Sequence, residues 1–153
     1  MGGSVEVEVR HQEEMTVATI RRHIPVGSTG ELIRELRQAC EAKRVNVIGP
    51  PLAIYYDREF NPDKTDVEVC FRVTMAFVGD EEVRCRILPR GRLATCLHRG
   101  GYDTIGESYR RVIEWIDREG YRIIGPPREI YLKGPESGEA PSGYQTEIQF
   151  PIL

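Results

Sequence analysis

The chain has 153 residues, 40% of them hydrophobic and 29% charged, which suits one soluble domain with a buried core. A net charge of −3 and a pI near 5.7 argue against direct nucleic-acid contact, and no basic patch with interleaved aromatics stands out. No apolar run approaches the ~20 residues of a membrane helix, and MGGSVEVEVRH lacks a charged-then-apolar leader, so the expected location is cytoplasmic.

In chain order, residues 1–4 read as a flexible start. Residues 5–9, Val-Glu-Val-Glu-Val, alternate apolar and charged side chains as a half-buried strand does, and residues 15–23 read as a second strand. Ser28-x-x-Glu31 predicts a capping box. Leu32, Ile33, Leu36, Ala39 and Cys40 then recur at helical spacing, predicting a helix over 29–43. Gly49-Pro50-Pro51 reads as a turn. Strands are expected at 52–57 and 66–77, the latter with Val67, Val69, Phe71 and Val73 on one side and Glu68, Cys70 and Arg72 on the other.

The pattern restarts with strands at 82–88 and 92–98. A hairpin turning at residues 89–92 would set Cys85 across from Cys96; as thiols of a cytosolic chain they are expected to stay reduced. Cys40, Cys70, Cys85 and Cys96 show no Cys-x-x-Cys spacing, which speaks against a zinc site. Thr104-x-x-Glu107 predicts a second capping box. Ile105, Tyr109, Val112, Ile113 and Ile116 form the apolar stripe of a second helix, with Trp115 off that stripe and Gly120 as its stop. Strands at 129–133 and 144–152 end the chain.

These two halves are copies. IGPPLAIYY from Ile48 and IGPPREIYL from Ile124 share six of nine positions at a spacing of 76 residues, which also separates the two capping boxes. The repeat runs over about 5–77 and 82–153, each copy strand–strand–helix–strand–strand. One copy cannot bury its helix and strands alone. The expected architecture is α+β: an antiparallel sheet with two helices on one face and a central cleft between them. Within the repeated phrase, Glu129 stands where the first copy has Ala53.

HRGGYDTIGESYRRVIEWIDREGYRIIGPPREIYL, together with TEIQFPI and with GPPLAIYYD followed by DVEVCFRV, resembles the GyrI-like small-molecule-binding domain over essentially the whole chain. This is the effector-binding domain attached to many AraC- and MerR-type multidrug regulators. The resemblance implies a hydrophobic pocket walled by aromatics, with an acidic residue at its base that meets lipophilic cations. The family's pocket glutamate falls on Glu129, and Glu147 of the last strand is expected near it. Two departures matter. There is no room for a helix-turn-helix segment, which points to a stand-alone module. Arg72 also stands where the second copy has Pro151.

The candidate ligand-binding residues are therefore Glu129, Tyr131, Glu147, Tyr109, Trp115, Tyr55, Glu68 and Tyr102. Glu129 and Tyr131 are two apart on one strand and point the same way, and a carboxylate beside aromatic faces suits a desolvated organic cation. Tyr55 and Tyr131 are repeat mates, as are Glu68 and Glu147. Tyr102 lies in the loop before the second helix. The alternative is a hydrolase of reactive electrophiles, with Glu129 as general base and Tyr109 or Tyr131 as orienter or acid. A third reading is a protein-interaction module like the gyrase inhibitor that names the family, with residues 5–9 as the pairing edge. Neither a metal nor a cofactor is expected. His11, His23 and His98 lie scattered at strand ends, and none is singled out as a haem ligand.

Overall fold

The computed structural model describes residues 6–153; the expected flexible start and Val5 of the first expected strand lie outside the described residues. The elements follow in the order β1 (Val7–Gln12), β2 (Met15–Ile24), α1 (Thr29–Ala42), β3 (Val47–Tyr55), β4 (Thr65–Val73), β5 (Arg84–Leu88), β6 (Gly91–Arg99), α2 (Ile105–Arg118), β7 (Arg128–Lys133) and β8 (Gln145–Ile152). The fold is α+β, with the strand pairs within each compact unit antiparallel and the strand–strand–helix–strand–strand order present twice. No helix among the described residues is long and apolar enough to cross a membrane.

The chain divides into two compact units, Glu13–Arg90 and residues 6–12 with Gly91–Leu153. In the first, the strands lie in the order β3-β4-β2-β5; in the second, β1-β6-β8-β7. Each unit thus takes one edge strand from the other sequence copy, since β5 pairs with β2 and β1 with β6. The expected β5–β6 hairpin does not form. Only Pro89 and Arg90 separate the two strands, and a two-residue hairpin needs a positive φ at its first centre, which proline cannot adopt. Cys85 consequently faces Ala18, Cys96 faces Val7, and none of the four cysteines is in a disulfide.

In the first unit, Val67, Val69 and Phe71 of β4 join Ala18 and Ile20 of β2 and Ala53 of β3 in a buried layer. α1 packs on these three strands and buries Leu32, Ile33, Leu36 and Cys40, as its apolar spacing predicts. In the second unit, Val112 and Ile116 of α2 pack with Ala94 and Cys96 of β6 and with Ile148, Phe150 and Ile152 of β8. The stripe on α2 is rolled from the expected one. Ile113 is 42% exposed, while Trp115 turns inward and stacks on Tyr121 with ring centroids 6.0 Å apart. That stack and a hydrogen bond from Ser108 to His98 draw the 108–115 side of the helix toward the sheet.

Neither capping box forms: Ser28 and Thr104 make no side-chain cap bond. Each helix is preceded by a 3-10 turn, Val26–Ser28 or Tyr102–Thr104, that already curls the backbone. The hydroxyls of Thr29, the first residue of α1, and of Thr104, the last of its turn, donate backward to the carbonyls of Val26 and Gly101. Gly49-Pro50-Pro51 is not the turn expected ahead of the strand either. It lies inside β3 as an irregularity where the register against β4 shifts between Ile48 and Leu52 and Gly49 takes φ +74°. Prolines, having no N–H to give a ladder, are tolerated at such a site.

Both helices stop in the same way. After α2, Tyr121 N–H donates to the Ile116 carbonyl and Gly120 N–H to Asp117, with Gly120 at φ +80°. This is the Schellman arrangement. After α1, Val45 donates to Cys40 and Arg44 to Glu41, but the left-handed residue is Arg44, at φ 58°. The repeat has a glycine at this place in one copy and an arginine in the other. Arg44→Gly should therefore raise stability by about 1 kcal/mol, because glycine escapes the Cβ penalty of that conformation, and Gly120→Ala should lower it by a similar amount; urea unfolding of the two variants checks both signs.

Candidate functional site

β7 presents alternate residues to opposite sides. Glu129 lies across from Ile148 and Tyr131 across from Thr146, on the side that meets α2; Arg128 and Ile130 turn the other way. Glu129 is 9% exposed. Its two oxygens accept from two phenols, Oε2 from Tyr109 at 2.5 Å and Oε1 from Tyr131 at 3.0 Å. Tyr109 comes from α2 and is set by Phe150, whose ring meets it edge-on at 5.8 Å. Among the described residues, no lysine or arginine is ion-paired with Glu129, and the groups acting on it are the two phenols and His98. Burial pushes its pKa up; the Tyr109 and Tyr131 hydrogen bonds and the nearby imidazole act against that, and burial wins.

Tyr102 closes this arrangement. Its ring packs against Tyr131, edge-on at 6.1 Å, and against Tyr144 at 5.5 Å. The backbone after β7 runs so close that a Cβ on Gly134 would stand 3.0 Å from the Tyr102 hydroxyl. Burial lifts the Tyr102 pKa to about 12, with Tyr144 and Glu129 adding to it, so the phenol stays protonated. The loop carrying Tyr102 is tied down by His98, whose Nε2 bonds the Gly101 carbonyl at 2.9 Å while Nδ1 meets Ser108 Oγ at 2.7 Å. A carbonyl only accepts, so Nε2 carries the proton and, in the neutral ring, Nδ1 accepts from Ser108.

Four of the expected residues thus come together: Glu129, Tyr109, Tyr131 and Tyr102. Glu147 does not join them. It lies across from Ile130 and Leu97, on the opposite side of the same strands, where Arg10 grips both its oxygens at 2.7 and 3.2 Å and Gln149 adds a third bond. Strand β8 lies next to β7, as the sequence order implies, but odd and even residues of one strand cannot share a face. Trp115 is occupied by its stack on Tyr121. Tyr55 and Glu68 belong to the other unit. Tyr55 stands across from Val67 on the α1 side of that unit's sheet.

Glu68, across from Ile54, is 4% exposed and belongs to a polar network. It accepts from Tyr56 at 2.5 Å and from Arg86 at 2.7 and 2.9 Å. Burial opposes its charge, yet the Arg86 and Tyr56 bonds outweigh burial and lower its pKa; Tyr56 in turn is raised to about 12 by burial and the Glu68 bond. Arg21 covers the Tyr56 ring at 3.7 Å and pairs with Asp66. A cavity of about 760 Å³ opens beside this network, lined by residues including Thr19, His23 and Arg84. Arg86 and Arg10 are repeat mates, each reaching the last-strand glutamate of the other copy. Glu68 and Glu147 are therefore neutralised in place, and Glu129 is the buried carboxylate that is not.

His98, Ser108, Tyr144 and Thr146 were not singled out by sequence reasoning. A usable signal was present: alternation back from Phe150 and Ile148 places Thr146 and Tyr144 on the Glu129 side and Glu147 on the other.

The family model of the GyrI-like small molecule binding domain matches residues 5–153, and the chain belongs to that family. Comparison with curated proteins gave no match. Among solved structures, the crystal structure of the EcmrR C-terminal domain is similar at 25% identity and a TM-score of 0.89, over 97% of this chain and 98% of that one. EcmrR in its cryo-EM complex with DNA aligns with the same identity and TM-score over 97% of this chain; the chain spans 57% of the EcmrR chain in that complex. A hydrolase from Listeria innocua (15% identity, TM-score 0.72, covering 97% of this chain and 92% of that one) shares the fold. So does SAV2435 bound to tetraphenylphosphonium, at 14% identity and a TM-score of 0.62, over 97% and 94%.

Two measurements check this electrostatic reading. Arg86→Met strands a buried carboxylate and should cost about 2 kcal/mol, whereas Arg10→Met, facing the more exposed Glu147, should cost about 1 kcal/mol or less; urea unfolding separates them. For Glu129, the folded-state pKa lies above the unfolded one, so its contribution to stability is full below the unfolded value of 4.5 and is lost as pH rises through the folded value. Glu129→Gln removes that loss. The stability of the variant minus that of wild type should grow upward from about pH 4.5 and then level off; a flat difference would contradict the raised pKa.

Proposed function

We propose that the chain is a small-molecule-binding module whose ligand is a hydrophobic cation held against Glu129. The observation that carries this is a buried carboxylate bonded by two neutral phenols, with no cation of the protein paired to it among the described residues. A charge in such a place attracts a ligand that supplies the missing positive charge. Tyr102, Tyr109, Tyr131 and Tyr144 offer ring faces, each good for about 0.5–2 kcal/mol with a desolvated cation. The SAV2435 complex, a distant relative with a lipophilic cation bound, supports the ligand class. Binding of several such cations, cytoplasmic placement and the absence of direct nucleic-acid contact belong to the same reading, the last on the strength of the net charge of −3.

Isothermal titration with tetraphenylphosphonium should show binding that weakens at least tenfold in Glu129→Gln. Because the cation favours ionised Glu129, affinity should rise with pH through the raised Glu129 pKa, and the variant should lose that dependence. Equal affinity in both proteins at all pH values would refute the charge role.

The hydrolase reading keeps one specific support, the 2.5 Å bond between Tyr109 and a carboxylate of raised pKa, the pairing a general base and its orienting phenol require. It demands turnover of an electrophilic substrate above buffer hydrolysis, abolished in Glu129→Gln; binding without product release would exclude it.

A further inference from the structure

Most buried hydroxyls among the described residues have partners. Thr29, Thr65 and Thr95 donate to backbone carbonyls, and Thr19 bonds Glu68. Thr146 differs: it is 0% exposed, and its Oγ1 has no hydrogen-bond partner. Its position is informative. It stands between Tyr131 on β7 and His98 on β6, both across from it on the α2 side of the sheet. It is diagonal to Glu129, which faces Ile148 two residues further on. Tyr144, two residues before it, and Tyr131 beside it are the two rings on which Tyr102 packs. An orphan hydroxyl therefore lies next to the orphan charge, among the rings that Tyr102 covers. Gln149 Oε1 is also unpartnered, but it belongs to the opposite face with Glu147.

A sheet that places a hydroxyl in an apolar interior without a partner loses its hydration for nothing in return unless something else bonds it. We propose that Thr146 is a specificity-determining residue of the Glu129 site: it hydrogen-bonds a second polar group of the ligand, so the preferred ligand is an aryl-bearing alkylammonium cation that also carries a hydroxyl or amide. This rests on the reading of Glu129 as the cation site. The cationic nitrogen lies against Glu129, the second polar group reaches across the β7–β8 ladder to Thr146, and Tyr102 moves aside to admit both. A quaternary cation such as tetraphenylphosphonium meets only the first requirement. A hydroxyl serves Thr146 as donor and acceptor together, and an amide serves it as either.

The test compares tetraphenylphosphonium with propranolol, an aliphatic secondary amine that bears a naphthyl ether and a hydroxyl, by isothermal titration on wild type, Thr146→Val, Thr146→Ser and Glu129→Gln. Thr146→Val should weaken propranolol about tenfold and leave tetraphenylphosphonium within twofold, and Thr146→Ser should restore propranolol. Thr146→Val should also raise the melting temperature of the free protein, since it removes an unsatisfied hydroxyl at constant shape. Unchanged propranolol affinity, or equal weakening of both probes, overturns the proposal, as does a lowered melting temperature. If tetraphenylphosphonium binding depends on Glu129 while propranolol ignores Thr146, the inference alone falls. If neither probe binds wild type, or both bind Glu129→Gln undiminished, the reading of Glu129 falls and takes the inference with it.

Discussion

A carboxylate taken out of water has to be met by a cation, by hydrogen-bond donors, or by a proton. The three glutamates compared here resolve that demand differently. Glu68 and Glu147 each receive an arginine, Arg86 and Arg10, and become part of the frame. Glu129 receives two phenols and burial instead, and its pKa rises. Most of the C-terminal unit serves that difference. α2 is placed so that Tyr109 reaches the carboxylate, Phe150 holds the Tyr109 ring, and His98 secures the loop whose Tyr102 packs on Tyr131.

The arginine pairs show why the duplication has to be read through strand pairing. Arg10 and Glu147 are 137 residues apart in sequence, yet their side chains meet because β1 completes the sheet of the second copy. The same exchange brings Arg86 on β5 to Glu68. Each unit is thus closed by a strand from the other copy and fastened by an ion pair that spans the copies. The pairs are not equally buried: the Glu68 side chain is 5% exposed and that of Glu147 is 19%. Tyr56, Arg21 and Asp66 extend the network in the first unit only. Sheet faces with the same repeat origin have diverged, one toward a polar network beside a cavity and the other toward a simple pair.

Much of the candidate site was legible from local pattern. Glu129 and Tyr131 on one strand face follow from alternation, and Tyr109 on the apolar stripe of α2 follows from helical spacing; their meeting follows once that helix covers that strand. The misses share a cause. Glu147 was placed near Glu129 because its strand is adjacent, but adjacency does not say which side of the pleat faces in. Trp115 and Ile113 sit at opposite edges of one stripe, and the roll of α2 chose Trp115 through the Trp115–Tyr121 stack and the Ser108–His98 bond, neither of which helical spacing encodes. The capping boxes matched a four-residue pattern, but a 3-10 turn precedes each helix, neither Ser28 nor Thr104 makes the cap bond, and Thr104 donates to Gly101 instead.

By itself the sequence determined the elements, their duplication at a spacing of 76 residues, the family, and the asymmetry that leaves Ala53 in one copy and Glu129 in the other. These are carried by periodicity and by residue identity, which are local properties. Only the tertiary structure decided which strands pair, which glutamates find an arginine, and that Thr146 is left without a partner. Whether a buried polar group is satisfied depends on which distant residues are packed against it, and the chain order of a duplicated protein is compatible with more than one such packing. Proline at position 89 is a local hint of the choice made, since it forbids the tight β5–β6 hairpin that would have closed the second copy on itself.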